Sequence, residues 1–325
     1  MKILLFGANG QVGWELQRSL APLGQVKACG HLDADLENLG GLRAIIREYC
    51  PAVIVNAAAY TAVDRAESEP DTAYRINAEA VGLLGDEAKR LDAWLIHYST
   101  DYVFDGTKSE PYLESDQPNP LSVYGKTKLQ GEAAISESGC RYLIFRTSWV
   151  YSARGANFVK TMIRLAKERD ALNVVADQIG APTSAELIAD VTAATLNCIA
   201  TGTVSAPPQD SNCVDAGGGL IHEVIPERGS QLSWQQVTGT YHLTAAGETS
   251  WHGFARYLLG EAQDQGMTLR INLENLNPIA AADYPVAARR PANSRLNTNK
   301  LTETFGLRLP QWQTPVRRLI TELIQ

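Results

Sequence analysis

Several things are scarce in this 325-residue chain, and each scarcity closes off a class of protein. Cysteine occurs only five times, as Cys29, Cys50, Cys140, Cys198 and Cys213, with no C-x-x-C pair. An odd, dispersed set speaks against a disulfide framework, so these residues read as reduced packing positions. The five histidines are equally scattered and show no zinc-type spacing. Long apolar runs are missing: the opening Ile3-Leu4-Leu5-Phe6 is four residues long and gives way at once to a glycine turn. That is too short for a signal peptide or a membrane span, so a cytoplasmic location is expected and a membrane partner is not. Excess positive charge is missing too. At a net charge of −7 there is no broad basic surface to follow a phosphate backbone, and nucleic acid is not an expected partner.

What is present looks globular: 45% apolar and 20% charged residues, in a length suited to about two domains. Lys2–Phe6 reads as a buried strand and Gln11–Leu20 as a helix with Val12, Leu16 and Leu20 on one face. The alternation continues with strands at Val26–Cys29, Ala52–Val55, Trp94–Tyr98 and Tyr142–Phe145. Between them fall helices at Leu36–Tyr49, Pro70–Leu91 and Val123–Ser136. Apolar strands alternating with helices predict an α/β fold, a Rossmann-type doubly wound parallel sheet, with a smaller C-terminal substrate-binding domain. Residues 1–150 with parts of 178–247 are expected to form the dinucleotide-binding unit, and 151–177 with 248–325 the smaller region. The latter includes helices at Phe158–Lys167, Trp251–Gln263 and Pro315–Ile324, a strand at Leu172–Val175, and nearby a helix at Ala185–Cys198 and a strand at Tyr241–Leu243. The stretch 201–240, with Pro207-Pro208 and Gly217-Gly218-Gly219, reads as an irregular insertion in which Leu220-Ile221 and Val224-Ile225 suggest a hairpin.

Between the first strand and helix lie Gly7, Gly10 and Gly13, spaced by three. Glycine allows a sharp turn and a close approach to a pyrophosphate, whose charge the amides of the helix N-terminus can meet. Gln11 and Val12 begin that helix. The second strand ends near Gly30, where an acid would bind the ribose hydroxyls of NAD. Its absence tilts the expectation to NADPH, with NADH open; Asp33 and Asp35 lie just beyond. Small residues after the third strand, Asn56-Ala57-Ala58-Ala59, suit a cofactor lying close to the sheet edge.

Tyr124 and Lys128 stand four apart on one helical face. A lysine charge ~5 Å from a phenol, at an effective dielectric of ~20, stabilises the phenolate by roughly 3 kcal/mol, or about two pK units, which would make Tyr124 a usable acid. Thr100 ends the fourth strand, where ligands of open parallel sheets bind, and its hydroxyl can reach a substrate carbonyl. Ser99 should point to the opposite face. Asn77, a poor helix former inside a helix, is a candidate for positioning the site.

The G-x-x-G-x-x-G turn and the Thr100, Tyr124 and Lys128 set resemble the short-chain dehydrogenase/reductase superfamily. Within it, GANGQVGWELQRSL from Gly7, VNAAAYTAVDRAESEP from Val55, HYSTDYVFDG from His97, PLSVYGKTKLQGE from Pro120, FRTSWVY from Phe145, DQIGAPTSAEL from Asp177 and RPANSRLNT from Arg290 resemble the dTDP-4-dehydrorhamnose reductase family. The resemblance implies a nucleotide-sugar substrate and NADPH-dependent reduction of the C4 keto group of dTDP-4-dehydro-L-rhamnose. By the same resemblance Gln11, Val12, Asp35, Leu36, Ala59, Tyr60 and Thr61 line the cofactor. Thr100, Tyr124 and Lys128 are catalytic, and Asp101, Tyr102 and Trp149 meet the sugar nucleotide. It also implies magnesium at a dimer interface, with Glu15 and Glu186 at the matching positions, and leaves a homodimer open. Two departures are the long 201–240 segment and Gly30, where some members carry an acid. Rival readings are a 4-epimerase, a 4,6-dehydratase, and a non-catalytic NADP-binding regulatory subunit. The dehydratase needs a second carboxylate directly after Asp101, where Tyr102 stands.

Overall fold

A computed structural model describes residues 1–202 and 234–324. At its centre is a six-stranded, all-parallel sheet built from β1 (Lys2–Phe6), β2 (Gln25–Cys29), β3 (Val53–Asn56), β4 (Trp94–Thr100), β5 (Arg141–Thr147) and β6 (Gly239–His242). In space the strands run β2-β1-β3-β4-β5-β6, so the winding reverses between β1 and β3. A crevice opens at such a reversal, beyond the carboxyl ends of the strands.

Strand alternation explains why both faces are covered. Ile3, Leu5, Val53, Val55, Trp94, Ile96, Leu143 and Phe145 fall on one face and pack with Leu16 and Leu20 of α1 (Gln11–Leu20). Leu4, Phe6, Ile54, Leu95 and Ile144 fall on the other, against Leu42 and Ile46 of α2 (Leu39–Tyr49) and Leu84 of α3 (Ala80–Leu91). Each of these strand side chains is at most 7% exposed. Full burial of one Leu or Ile contributes about 1.5–3 kcal/mol.

The helix expected over Pro70–Leu91 is interrupted by a π turn at Arg75–Glu79, which carries Asn77 into the interior. On the same side α4 (Val123–Ser138) starts at Ser122, whose hydroxyl accepts from the Gly125 N–H, and stops at Gly139 in the left-handed conformation (φ 66°).

A second, smaller core gathers residues from 151–174 and 245–320 around α5 (Phe158–Glu168), α7 (Trp251–Asp264) and α8 (Gln313–Ile324), while α6 (Ala185–Thr201) packs along α1. Leu172–Val175 pairs in parallel with Leu276–Ile279, a strand not foreseen because Pro278 interrupts it. The short helix Asn299–Phe305 was not anticipated either.

The limits of the irregular 201–240 segment need correction. Thr201 still belongs to α6, and 234–240 contain a helical turn (Trp234–Val237) and the start of β6. The proposed hairpin at 220–225 and Cys213 lie outside the described residues. Cys29 and Cys140 are buried packing residues as expected, whereas Cys50 is exposed and ends α2 with φ 49°. No described helix is long and apolar enough to cross a membrane.

Candidate active site

A cleft of about 610 Å³ follows the carboxyl ends of β1, β3, β4 and β5. Its floor is the glycine turn. Gly7 adopts φ 81°, and a Cβ there would come within 2.6 Å of the Ala57 and Ala58 backbone. Gly13 lies behind the turn, where a Cβ would approach the Gly7 carbonyl oxygen to 2.0 Å. The turn therefore packs backbone on backbone and delivers the start of α1 into the cleft. That start has no side-chain cap. By contrast α2, α4, α5, α6 and α7 are capped by Asn38, Ser122, Asn157, Ser184 and Ser250. An uncapped N-terminus opening on a cleft is a ready anion site, and the residues present fit a dinucleotide pyrophosphate.

Of the residues foreseen for the cofactor, Gly7, Gly10, Gln11, Val12, Asp35, Leu36, Ala59 and Thr61 line the cleft, with Asn56, Ala57 and Ala58 beside them. Gly13 and Tyr60 do not. Tyr60 turns its hydroxyl to Glu69, while its backbone is held from both sides by Asn77, which accepts from the Tyr60 N–H (2.9 Å) and donates to the Tyr60 carbonyl (3.1 Å). Asn77 thus acts on the wall of the site rather than inside it. Gln11 Oε1 accepts from Ser152 Oγ (3.1 Å) and Asn157 Nδ2 (2.9 Å), tying α1 to the loop before α5.

At the far end, Thr100, Asp101, Tyr102, Tyr124, Lys128 and Trp149 all reach the same cleft. Thr100 Oγ1 donates to Asp101 Oδ1 (3.0 Å) and accepts from the Tyr102 N–H (3.1 Å). Ser99 points to the opposite face, as strand alternation requires, and donates to Glu132, which is also in a buried salt bridge with Arg146. Tyr102 and Tyr124 meet edge to face at 5.7 Å. Trp149, at φ 49°, stacks on Trp251 (3.6 Å, 12°) and is among the residues that line the cleft. Such a backbone conformation is rare for a bulky residue and places the indole where an extended φ would not.

The electrostatics differ from expectation at the tyrosine. Burial, and then the Asp101 carboxylate, push the Tyr124 phenol up to about 12, opposed by the Thr100 hydroxyl. Lys128 does not counter this, because its ammonium is drawn inward, donating to the Tyr98 carbonyl (2.7 Å) with His97 Nε2 at 3.0 Å. Burial lowers Lys128 itself to about 8, against a favourable contribution from Glu132. Burial also raises Asp101 to about 6, against the Ser294 and Thr100 hydroxyls, which favour its carboxylate.

Glu15 and Glu186 lie elsewhere, in a small crevice with Glu322. Arg18 stands 3.6 Å from Glu15 and Arg318 3.3 Å from Glu186. Among the described residues no group of His, Cys, Asp or Glu is arranged to hold a metal ion, so the magnesium expectation is not supported.

The family described as RmlD substrate binding domain matches residues 1–205 and 220–325. The chain belongs to this family. It is 46% identical over 331 residues to the dTDP-4-dehydrorhamnose reductase of Salmonella typhimurium, covering 99% of this chain and 98% of that one. Among solved structures, a dTDP-4-dehydrorhamnose reductase of Clostridium acetobutylicum superposes with a TM-score of 0.82 at 35% identity, covering all of both chains. That of Bacillus anthracis, in complex with NADP, superposes with a TM-score of 0.80 at 32% identity, covering 99% of each.

His97, Asn9, His31, Thr147, Ser148 and Ala156 escaped the sequence reading. His97 had a visible signal: a polar residue in the middle of an otherwise apolar strand.

Proposed function

We propose that this protein is an NADPH-dependent reductase that converts the C4 keto group of dTDP-4-dehydro-L-rhamnose to the alcohol of dTDP-L-rhamnose. The observation that carries this reading is the convergence of Thr100, Tyr124 and Lys128 on the cleft that also receives the uncapped start of α1. The names of the relatives and the NADP-bound neighbour point the same way.

In this reading the Gln11 and Val12 amides hold the pyrophosphate, Asp35 and Leu36 flank the adenosine, and Ala57–Ala59 and Thr61 follow the chain of the cofactor to Lys128 and Tyr124. NADPH, when bound, supplies the hydride. Thr100 donates to the substrate carbonyl oxygen, for which it must release Asp101. Tyr124 is protonated at neutral pH, as a phenol at its ordinary value already is, and in the reaction it gives its proton to the oxygen that becomes the alcohol; burial makes that proton harder to give up. Lys128, drawn inward to the Tyr98 carbonyl, must turn outward to supply the positive charge that a developing phenolate needs and to hold the ribose. Asp101 and Tyr102 form the sugar side, and Trp149 offers a flat face to it. A dehydratase would need a second carboxylate directly after Asp101, and the residue at that position is Tyr102.

The direct test follows consumption of NADPH and NADH with dTDP- and UDP-linked 4-keto sugars. The expected result is rapid NADPH oxidation with the dTDP 4-keto-6-deoxy sugar and formation of dTDP-L-rhamnose. Tightly bound NAD with no net oxidation of added NADPH would instead mark an epimerase.

A further inference from the structure

Beneath Lys128 lies His97, 0% exposed, in the middle of β4. Its Nε2 is 3.0 Å from Lys128 Nζ and its Nδ1 is 3.1 Å from Asn56 Nδ2. The tautomer follows from the backbone. Asn56 Oδ1 accepts from the Ala58 N–H at 3.1 Å, and a backbone N–H can only donate. The end of the amide facing the imidazole is therefore its NH2, which also can only donate, so Nδ1 must be bare. A neutral imidazole then carries its one hydrogen on Nε2, aimed at Lys128. A doubly protonated ring is opposed from both sides, by the Asn56 amide and by a second cation in a buried place.

An ammonium has three donors and no acceptor, whereas a neutral amine has a lone pair for an N–H. We propose that Asn56 fixes His97 as the Nε2–H tautomer and that His97 is a positioning residue, acting through Lys128 by opposing its ammonium form. Other groups act on the same nitrogen. The Tyr98 carbonyl on β4 and Glu132 one turn along α4 favour the ammonium. Glu132 is shared with Arg146 of β5 and Ser99 of β4, which leaves it a weaker counter-charge. Tyr124 of α4, and Asp101 and Tyr102 beyond β4, line the same cleft as Lys128. Burial acts in the same direction on both members of the pair, drawing Lys128 down and His97 well below its ordinary value. The consequence is a lysine that is charged at neutral pH but holds its proton loosely, at the inner wall of the cleft that Tyr124 also lines.

This role rests on the proposed reductase reaction, but its first test does not. In the full chain labelled with 15N-histidine, long-range 15N–1H correlations assign the tautomer of His97 directly. A protonated Nε2 with a bare Nδ1 is expected; a protonated Nδ1, or a doubly protonated ring, overturns the proposal. The second test is the alkaline limb of the pH profile of kcat/KM in NADPH oxidation. Removing the opposing N–H in His97→Leu is expected to move that limb to higher pH by about one unit, the size of one hydrogen bond to a charged group. A limb that stays in place assigns His97 to packing alone, and one that moves to lower pH makes it an acceptor; either result overturns the proposal. If wild-type protein oxidises NADPH with none of the keto sugars, the reductase reading fails while the tautomer result stands.

Discussion

Replacing Gly13 by alanine separates local helix preference from the geometry of the cofactor turn. Alanine is favoured over glycine in a helix by roughly 1 kcal/mol, and position 13 lies in the first turn of α1, so propensity alone predicts stabilisation. The structure predicts the reverse. A Cβ at position 13 lies 2.0 Å from the Gly7 oxygen and 2.6 Å from the Gly7 carbon, both backbone atoms that cannot swing aside. Recovering an ordinary 3.4 Å contact moves the start of α1 back by about 1.4 Å, the difference between the two distances. Its amides would then miss the pyrophosphate. Losing one hydrogen bond to a charged group, worth about 1.5–3 kcal/mol, gives a loss of about tenfold to a hundredfold. Gly13→Ala should therefore weaken NADPH binding about tenfold to a hundredfold and destabilise the fold by about 1–3 kcal/mol, as overpacking does. Gly10→Ala is the control for the unfolding measurement alone, because its Cβ meets only the Gly7 oxygen, at 3.3 Å, and needs a small adjustment. NADPH titration by quenching of tryptophan fluorescence, with urea unfolding beside it, reads both quantities. Binding by Gly13→Ala within twofold of wild type would refute the reasoning.

Two other substitutions probe the buried charges. Asp101 is 2% exposed and its carboxyl is raised from 3.8 to about 6, so its favourable contribution is complete below the unfolded value and is lost as pH rises through 6. Asp101→Asn should accordingly gain up to about 3 kcal/mol over wild type at pH 8 and nothing at pH 3; denaturant unfolding at the two pH values measures it, and an equal gain at both contradicts the assignment. Glu132→Gln leaves the Arg146 guanidinium, 5% exposed, without its carboxylate, and a loss of about 3–5 kcal/mol is expected in urea unfolding; a loss under 1 kcal/mol shows that the pair is solvated.

The sheet was legible because its strands are short apolar runs and its helices carry start and stop residues. Lys2–Phe6, Gln11–Leu20 and Leu172–Val175 fall where periodicity places them. Thr100, Tyr124 and Lys128 were legible because strand end and helix spacing dictate their side, and the Ser99 hydroxyl turns to Glu132 for the same reason although the residue borders the cleft. Other features depend on contacts across the chain. The π turn at Asn77 is set by its bonds to Tyr60, 17 residues away, and to Thr127, 50 residues away. The Leu276–Ile279 strand exists because Leu172–Val175 offers it an edge. Nor does a four-residue spacing say which way a lysine points. The direct phenol-to-ammonium effect expected from Tyr124 and Lys128 gives way to burial, because the Tyr98 carbonyl and His97 draw the ammonium inward.

The hydroxyl of Tyr124 is the atom on which the proposed chemistry turns. Single-turnover reduction of dTDP-4-dehydro-L-rhamnose, followed through NADPH absorbance in wild type and in Tyr124→Phe, isolates that atom from cofactor binding. The variant is predicted to bind NADPH as wild type does and to react about 10² to 10⁴ times more slowly. Reduction at the wild-type rate would contradict the assignment of Tyr124 as the acid.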